Sequence, residues 1–284
     1  MTLYGVGLGP GDADLVTVRG RRVLEAADVV YSPGRLSRSV AIKYVPEHRI
    51  GDVDFPMTRD EEELRRAWRE AAGKIAPRAR DGTAAFVTLG DPNVYSTFGH
   101  LRRTLSAFHP EVGIEVVPGV SAVTAFTTAL GVEIAAGASL SLHEAARGAA
   151  PTGPDRMILF KVTDVPTTHE RLVEAGYDVV YGRRLYMEQG ETVVTDDPGA
   201  LDDRDYYTLA YAEKRDLDPE PATAVFEEAE PEGGAGARAR AKADGGVHHA
   251  AEPRSGDGAS GDAASMERAE GETCGDEVPE VRTR

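Results

Sequence analysis

Short apolar runs that end in glycine- and proline-rich turns, each leading into a helical segment, constrain this chain more than any other feature. "LYGVGLG" runs into a glycine turn, and "TVRGRRVLEAA" follows as a helix capped by Thr17 before the strand "DVVYSP". "TRDEEELRRAWREAAGKIA" reads as a helix with Thr58 and Glu61 as a capping box, and Leu64, Ala67, Trp68, Ala71 and Ile75 share one face. "TAAFVTL" is apolar at every second position and at those between, apart from its threonines, as in parallel strands covered on both faces. "YSTFGHLRRTLSAF" reads as the next helix, "IEVVPG" as a strand, and "SAVTAFTTALG" as a helix closed by Gly131. Strands alternating with helices over residues 1–132 predict an open α/β domain.

Past residue 132 the rhythm changes. "SLSLH", "RMILFKV", "DVVYGRRL", "ETVVTD" and "YYTLAYAEK" read as strands, with "HERLVEAG" the one clear helix among them. Several connections are too short for parallel crossovers, so residues 133–226 are expected to form a smaller, mixed or largely antiparallel α/β domain. "ARGAAPTGP" reads as a loop within it. After Phe226 no Leu, Ile, Phe, Tyr or Trp occurs, and 21 of the 54 residues from Pro231 to Arg284 are Ala or Gly. Such a segment buries too little apolar surface to offset its chain entropy, so residues 227–284 are expected to be a disordered acidic tail. Its adjacent His248 and His249 are too few ligands for a metal site, and none is expected.

The charge excludes some functions. A net charge of -16 argues against a nucleic-acid binder, which needs a basic face. Only five of the 32 basic residues are lysine, the rest arginine. An acidic, lysine-poor surface suits concentrated salt, where like-charge repulsion is screened, so a halophilic protein that unfolds below about 0.5 M salt is expected; the alternative is an ordinary acidic enzyme indifferent to salt. No run of about 18 apolar residues is present, so no membrane span is expected. The N-terminus lacks a signal-peptide pattern, which makes the cytoplasm the expected location. Cys274 is the only cysteine and can form no intramolecular disulfide.

Open α/β sheets bind ligands beyond the carboxyl ends of their strands. Three polar turns occupy such ends: "GVGLGPGD" (5–12), "LGDPNVYST" (89–97) and "PGVSA" (118–122). Each can present bare backbone to a ligand. The first is no dinucleotide fingerprint, because Pro10 stands in the third glycine position, and it lacks the lysine of a phosphate-binding loop. A nicotinamide oxidoreductase is therefore poorly supported. Taken singly, each turn also has a purely structural reading, with Ser121 as a helix cap and "GDP" as an ordinary turn.

In that order and spacing, the three turns resemble those of the tetrapyrrole methylase family, over residues 2–215. "FPMTRD" (55–60) and "YST" (95–97) are similar to the branch that methylates C20 of precorrin-2 or cobalt-factor II, as are "LYGVGLGPGDADLVTVRG" and "YYTLAYAEK". The resemblance implies a two-domain α/β protein, usually a homodimer, that holds S-adenosylmethionine between its lobes and methylates a tetrapyrrole. Carried over by position, it implies cofactor contacts at Pro10, Leu89, Gly90, Asp91, Val94, Ser121, Ala122, Val162 and Tyr186. No catalytic residue is assigned; Asp91 and Tyr95 are the nearest candidates, and each also suits a positioning role. Residues 136–155 match the family poorly, which leaves the second lobe's substrate contacts open. The substrate's carboxylates would want arginines, and Arg19, Arg21, Arg22, Arg35, Arg38, Arg183 and Arg184 are candidates. Alternatives are methylation at C11 or C17, the related diphthine synthase, or a non-catalytic acidic interaction protein.

Overall fold

A computed structural model describes residues 2–56, 58, 60–201 and 204–217. The expectations for the tail, for His248 and His249, and for Cys274 lie outside the described residues.

Five parallel strands form the first sheet: β1 (Thr2–Gly7), β2 (Val29–Ser32), β3 (Ile50–Asp52), β4 (Thr83–Thr88) and β5 (Gly113–Val117), in the spatial order β3-β2-β4-β1-β5. Side chains alternate between two cores, as parallel strands require when both faces are covered. Leu3, Ala84 and Phe86 face α3 (Glu61–Asp81) and α4 (Phe98–Phe108), meeting Trp68, Ile75, Leu101 and Leu105. Val6, Ala85 and Val87 join Leu24 of α1 (Val18–Ala26) and Val40 of α2 (Arg35–Ala41) on the opposite face. Gly5 serves this packing, since a Cβ there would collide with the Phe98 ring.

The strand order matters for function. From β1 the chain crosses to β2, leaving between them the place that β4 later fills. From β4 it passes over β1 to β5. The connections therefore diverge at the β1–β4 boundary, where open sheets form their ligand crevice. Because β4, β1 and β5 are adjacent and parallel, their carboxyl ends lie side by side, about 4.8 Å from strand to strand. The three polar turns follow these three strands.

The second sheet holds β6 (Ser141–Glu144), β7 (Arg156–Phe160), β8 (Tyr177–Arg183), β9 (Val193–Thr195) and β10 (Thr208–Lys214), ordered β6-β7-β10-β8-β9. Among these described strands only the β6–β7 pair is parallel, so the sheet is mixed. One face carries α6 (Val165–Glu174), whose Leu172 packs among Met157, Leu159, Tyr177 and Tyr181. The other face turns Ile158, Phe160 and Tyr211 toward Phe126 of α5 (Ala122–Leu130), a helix that enters from the first sheet. The described residues lie in one compact unit, and α5 couples its two sheets.

Local chemistry corrects several boundaries. The cap of α3 is Asp60, whose Oδ1 accepts from the amides of Glu62 and Glu63, while Thr58 Oγ1 accepts from the Asp60 amide one step earlier. Asp60 is the better cap because its side chain reaches the free amides of the first turn. The helix expected from Tyr95 begins at Phe98, because Tyr95 takes a left-handed φ of 48° that no right-handed helix accommodates. The short α2 and β3 carry too little periodicity to be read from sequence. Thr17 and Ser121 cap α1 and α5 as expected, and Gly131 closes α5 with φ 65°.

Candidate active site

The three turns are locked together by backbone. The Gly90 amide donates to the Gly9 carbonyl at 2.6 Å, and the Leu8 amide donates to Thr88 O at 2.9 Å, which ties the first turn to the second. The second is tied to the third by Asp91. Its Oδ2 accepts from the Gly119 amide (3.1 Å) and its Oδ1 from the Asn93 amide (2.8 Å). Both carboxylate oxygens thus hold backbone donors, which is a positioning role.

Glycine is required where the turns meet. A Cβ on Gly7 would lie 2.6 Å from the Gly119 nitrogen and the Gly90 oxygen. One on Gly119 would overlap the Gly90 oxygen and lie 2.8 Å from Gly7 Cα. Gly90 itself needs φ 68°, a left-handed conformation that favours glycine. Small and polar residues crowd this strand end because Gly90 and Asp91 clamp the turns. Ser96 Oγ accepts from the Phe98 amide at the start of α4 and donates to Thr88 Oγ1 (3.1 Å).

Above the clamp lies a cleft, open to solvent, between the carboxyl ends of the first sheet and the inner face of the second. Pro10, Leu89, Gly90, Asp91, Val94, Ser121 and Ala122 line it, together with Tyr95. Seven of the nine residues singled out in the sequence therefore converge on one cleft. The other two do not line it. Val162 is fully buried among Leu159, Val165 and Leu172, and its amide donates to Thr208 O. Its predecessors Phe160 and Lys161 line the cleft instead. Tyr186, with φ 60°, sets its carbonyl against Gly11, and its neighbours Leu185 and Met187 supply lining.

The second lobe's wall was not visible in the sequence. Phe160, Leu185, Met187 and Leu209, joined by Phe126 of α5, make it apolar, and Lys161, Tyr206 and Tyr207 give it polar atoms. Tyr95 reaches across, its hydroxyl donating to Leu142 O (3.0 Å) and its ring lying 4.8 Å from that of Phe160. Burial raises the Tyr207 hydroxyl above the ordinary tyrosine pKa, with Tyr206 adding to the effect. Tyr206 and Tyr207, in the turn just before β10, are the aromatic pair that "YYTLAYAEK" shows in the sequence.

The proposed carboxylate-binding arginines lie outside the cleft lining. Most are held by acidic neighbours: Arg19 by Glu115 (3.1 Å), Arg21 by Glu25 (2.7 Å), and Arg38 by Glu47 and Asp52 (3.0 Å each). Arg183 pairs with Glu191 at 3.2 Å and Arg184 with Asp205. Among the described residues Arg22 and Arg35 enter no ion pair and are exposed. No cluster of three or more His, Cys, Asp or Glu suited to a metal ion occurs among the described residues. No helix among them is long and apolar enough to cross a membrane.

A parallel sheet with its glycine-rich crevice, closed over by a mixed second sheet, defines a two-domain α/β fold with a largely apolar cleft. The sequence profile of the Tetrapyrrole (Corrin/Porphyrin) Methylases matches residues 2–201, and the chain belongs to that family. A probable cobalt-precorrin-2 C(20)-methyltransferase of Methanocaldococcus jannaschii is 35% identical over 141 residues, 48% of this chain and 60% of that protein. A precorrin-4 C(11)-methyltransferase of Pseudomonas aeruginosa is 34% identical over 136 residues, 47% of this chain and 49% of that protein. The chain thus spans between half and three-fifths of the length of these curated relatives. Among solved structures, a cobalamin-synthesis-related protein of Corynebacterium diphtheriae superimposes with a TM-score of 0.62 at 18% identity, covering 76% of this chain and 99% of that one. Uroporphyrin-III C-methyltransferase of Thermus thermophilus, complexed with S-adenosylhomocysteine, gives 0.55 at 22% identity over 75% and 97%. Both show the fold.

Proposed function

We propose that this protein methylates C20 of cobalt-factor II, or of its cobalt-free counterpart precorrin-2, in cobalamin biosynthesis, with S-adenosylmethionine as donor. The observation that carries the reading is the convergence of three backbone-locked turns on one cleft. The cleft suits that donor. Gly90 presents bare backbone in the cleft lining, Gly7 and Gly119 let the turns that carry it pack together, and the apolar wall fits a thioether and a purine. Pro10, Leu89, Gly90, Asp91, Val94, Ser121 and Ala122 would hold it, with the second-lobe segments around Val162 and Tyr186 closing over it.

When bound, the donor supplies a methyl group on a sulfonium that is already electrophilic. What remains for the chain is orientation and a dry cleft. The clamp of Asp91 on Gly119 and Asn93 fixes the turns on which the donor rests, and the Tyr95 hydroxyl on Leu142 O joins the two walls. A reduced macrocycle's meso carbon is nucleophilic, so carbon–carbon bond formation needs no strong base. The sulfur keeps the electron pair of the broken bond, and the displaced C–H proton passes to water or a carboxylate.

The position on the macrocycle rests on "FPMTRD" and "YST" together with the C20 relative. Methylation at C11 is the second reading, favoured by the precorrin-4 relative of similar identity. The homodimer implied by the resemblance and the cytoplasmic location expected from the N-terminal sequence belong to the same proposal, and sedimentation would check the first. Incubation with methyl-labelled donor and each candidate substrate, with and without cobalt, tests the whole. Carbon NMR of the product is expected to place one new methyl at C20. Label at C11, or no transfer to either macrocycle, refutes the C20 reading.

A further inference from the structure

The cleft poses an electrostatic problem. The chain carries a net charge of -16, yet the proposed substrate is a ring of carboxylates. Of the described side chains lining the cleft, Lys161 is the one cation. It follows β7 with φ 57°, a left-handed conformation that is unfavourable for a non-glycine residue and persists where the surroundings demand it. Its ammonium lies 5.2 Å from the centroid of the Tyr206 ring and 3.4 Å from Glu144 Oε1. The lysine side chain is 23% exposed and the glutamate 46%, so the glutamate is the more free to turn into solvent. Tyr206, 40% exposed on the cleft wall, offers a ring face to a planar ligand.

We infer that Lys161 is the specificity residue that receives a carboxylate of the macrocycle, and that Glu144 holds its ammonium in the meantime and swings away when the substrate arrives. This rests on the methylase reading. Burial alone would lower the lysine pKa, but Tyr206 and Glu144 outweigh it, so the amine stays protonated and suited to an anion. A solvent-facing ion pair contributes little, so exchanging Glu144 for a substrate carboxylate sacrifices little stability. Tyr206 presents a flat face beside the charge, matching a flat ligand with anionic arms.

The test uses the full chain, with sirohydrochlorin as a stable carboxylated macrocycle followed by visible absorbance, and S-adenosylhomocysteine followed by calorimetry. Lys161→Met is expected to weaken sirohydrochlorin binding about tenfold, as loss of one partly desolvated charge pair would. Glu144→Gln is expected to tighten it about two- to fivefold, because the ammonium no longer has a competitor. Glu144→Gln should leave S-adenosylhomocysteine affinity within twofold, and Lys161→Met should lose less of that affinity than of sirohydrochlorin binding. A pair that merely braced the fold would shift both variants in the same direction, and that result overturns the inference. So does unchanged sirohydrochlorin affinity in Lys161→Met, or a loss confined to S-adenosylhomocysteine, which would put the lysine on the donor. Failure of the unmodified protein to bind sirohydrochlorin at all would instead remove the C20 reading, and this inference with it.

Discussion

Replacing Gly119 with alanine perturbs the place where all three turns meet. The added methyl would overlap the Gly90 carbonyl oxygen and approach Gly7 Cα to 2.8 Å. Carbon atoms rest at about 3.5–4.0 Å, so the first and third turns must part by roughly 0.7 Å or more. Neither neighbour can give way as a flexible side chain would, because both are main chain held by the Gly90–Gly9 and Gly119–Asp91 hydrogen bonds. Overpacking of this kind costs about 1–3 kcal/mol of stability. A radial gap of 0.5–1 Å forfeits about a quarter to a half of each dispersion contact, so a ligand seated on the turns should lose roughly 1–2 kcal/mol, or about 5- to 30-fold in affinity. Urea unfolding measures the first quantity and calorimetric titration with S-adenosylhomocysteine the second. A folded Gly119→Ala variant that binds S-adenosylhomocysteine within twofold of the parent would refute the idea that the clamp shapes the donor site.

Other outcomes follow from the same geometry. Asp91→Asn keeps one acceptor oxygen but turns an amide donor toward a backbone donor, at a cost of about 1–3 kcal/mol; S-adenosylhomocysteine binding should weaken at least fivefold, whereas a catalytic base would lose kcat with that affinity intact. Gly73 lies exposed on α3, with nothing within 4 Å of an added methyl, so Gly73→Ala should raise stability by about 0.5–1 kcal/mol in urea and leave ligand binding alone. Burial raises the Tyr211 pKa to about 12, and Tyr181 is raised for the same reason. Raised folded pKa values mean that this stability is complete below pH 10; above it the unfolded chain ionises first, and stability should fall by up to ~1.4 kcal/mol per pH unit for each tyrosine, measurable by urea titration between pH 9 and 12. Dialysis from 3 M to 0.1 M salt, followed by circular dichroism, checks the halophilic reading, which expects unfolding below about 0.5 M.

The sequence made the first lobe legible because its signals are local. A strand, a glycine turn and a capped helix each lie within a dozen residues, and Thr17, Ser121 and Gly131 act where their positions imply. The convergence of the turns could be anticipated only through family resemblance, since the adjacency of β4, β1 and β5 depends on strand order, which no local pattern encodes. The second lobe's wall is harder still. Phe160, Leu185 and Leu209 look like any strand or loop hydrophobe, and whether they face a core or a cleft is decided by sheet register. Val162 shows the sensitivity: two positions beyond Phe160, it leaves the cleft wall and joins the core beneath α6. Lys161 and Tyr186 take left-handed backbone that residue type does not announce. The arginines misled because their partners, such as Asp52 for Arg38 and Glu115 for Arg19, come from distant segments.

A crystal structure with S-adenosylhomocysteine probes the core claim most directly. The account predicts the ligand's sulfur in van der Waals contact with the cleft formed by Pro10, Asp91 and Ser121, with the second lobe's wall across from it. Ordered ligand seated away from those three turns would contradict it.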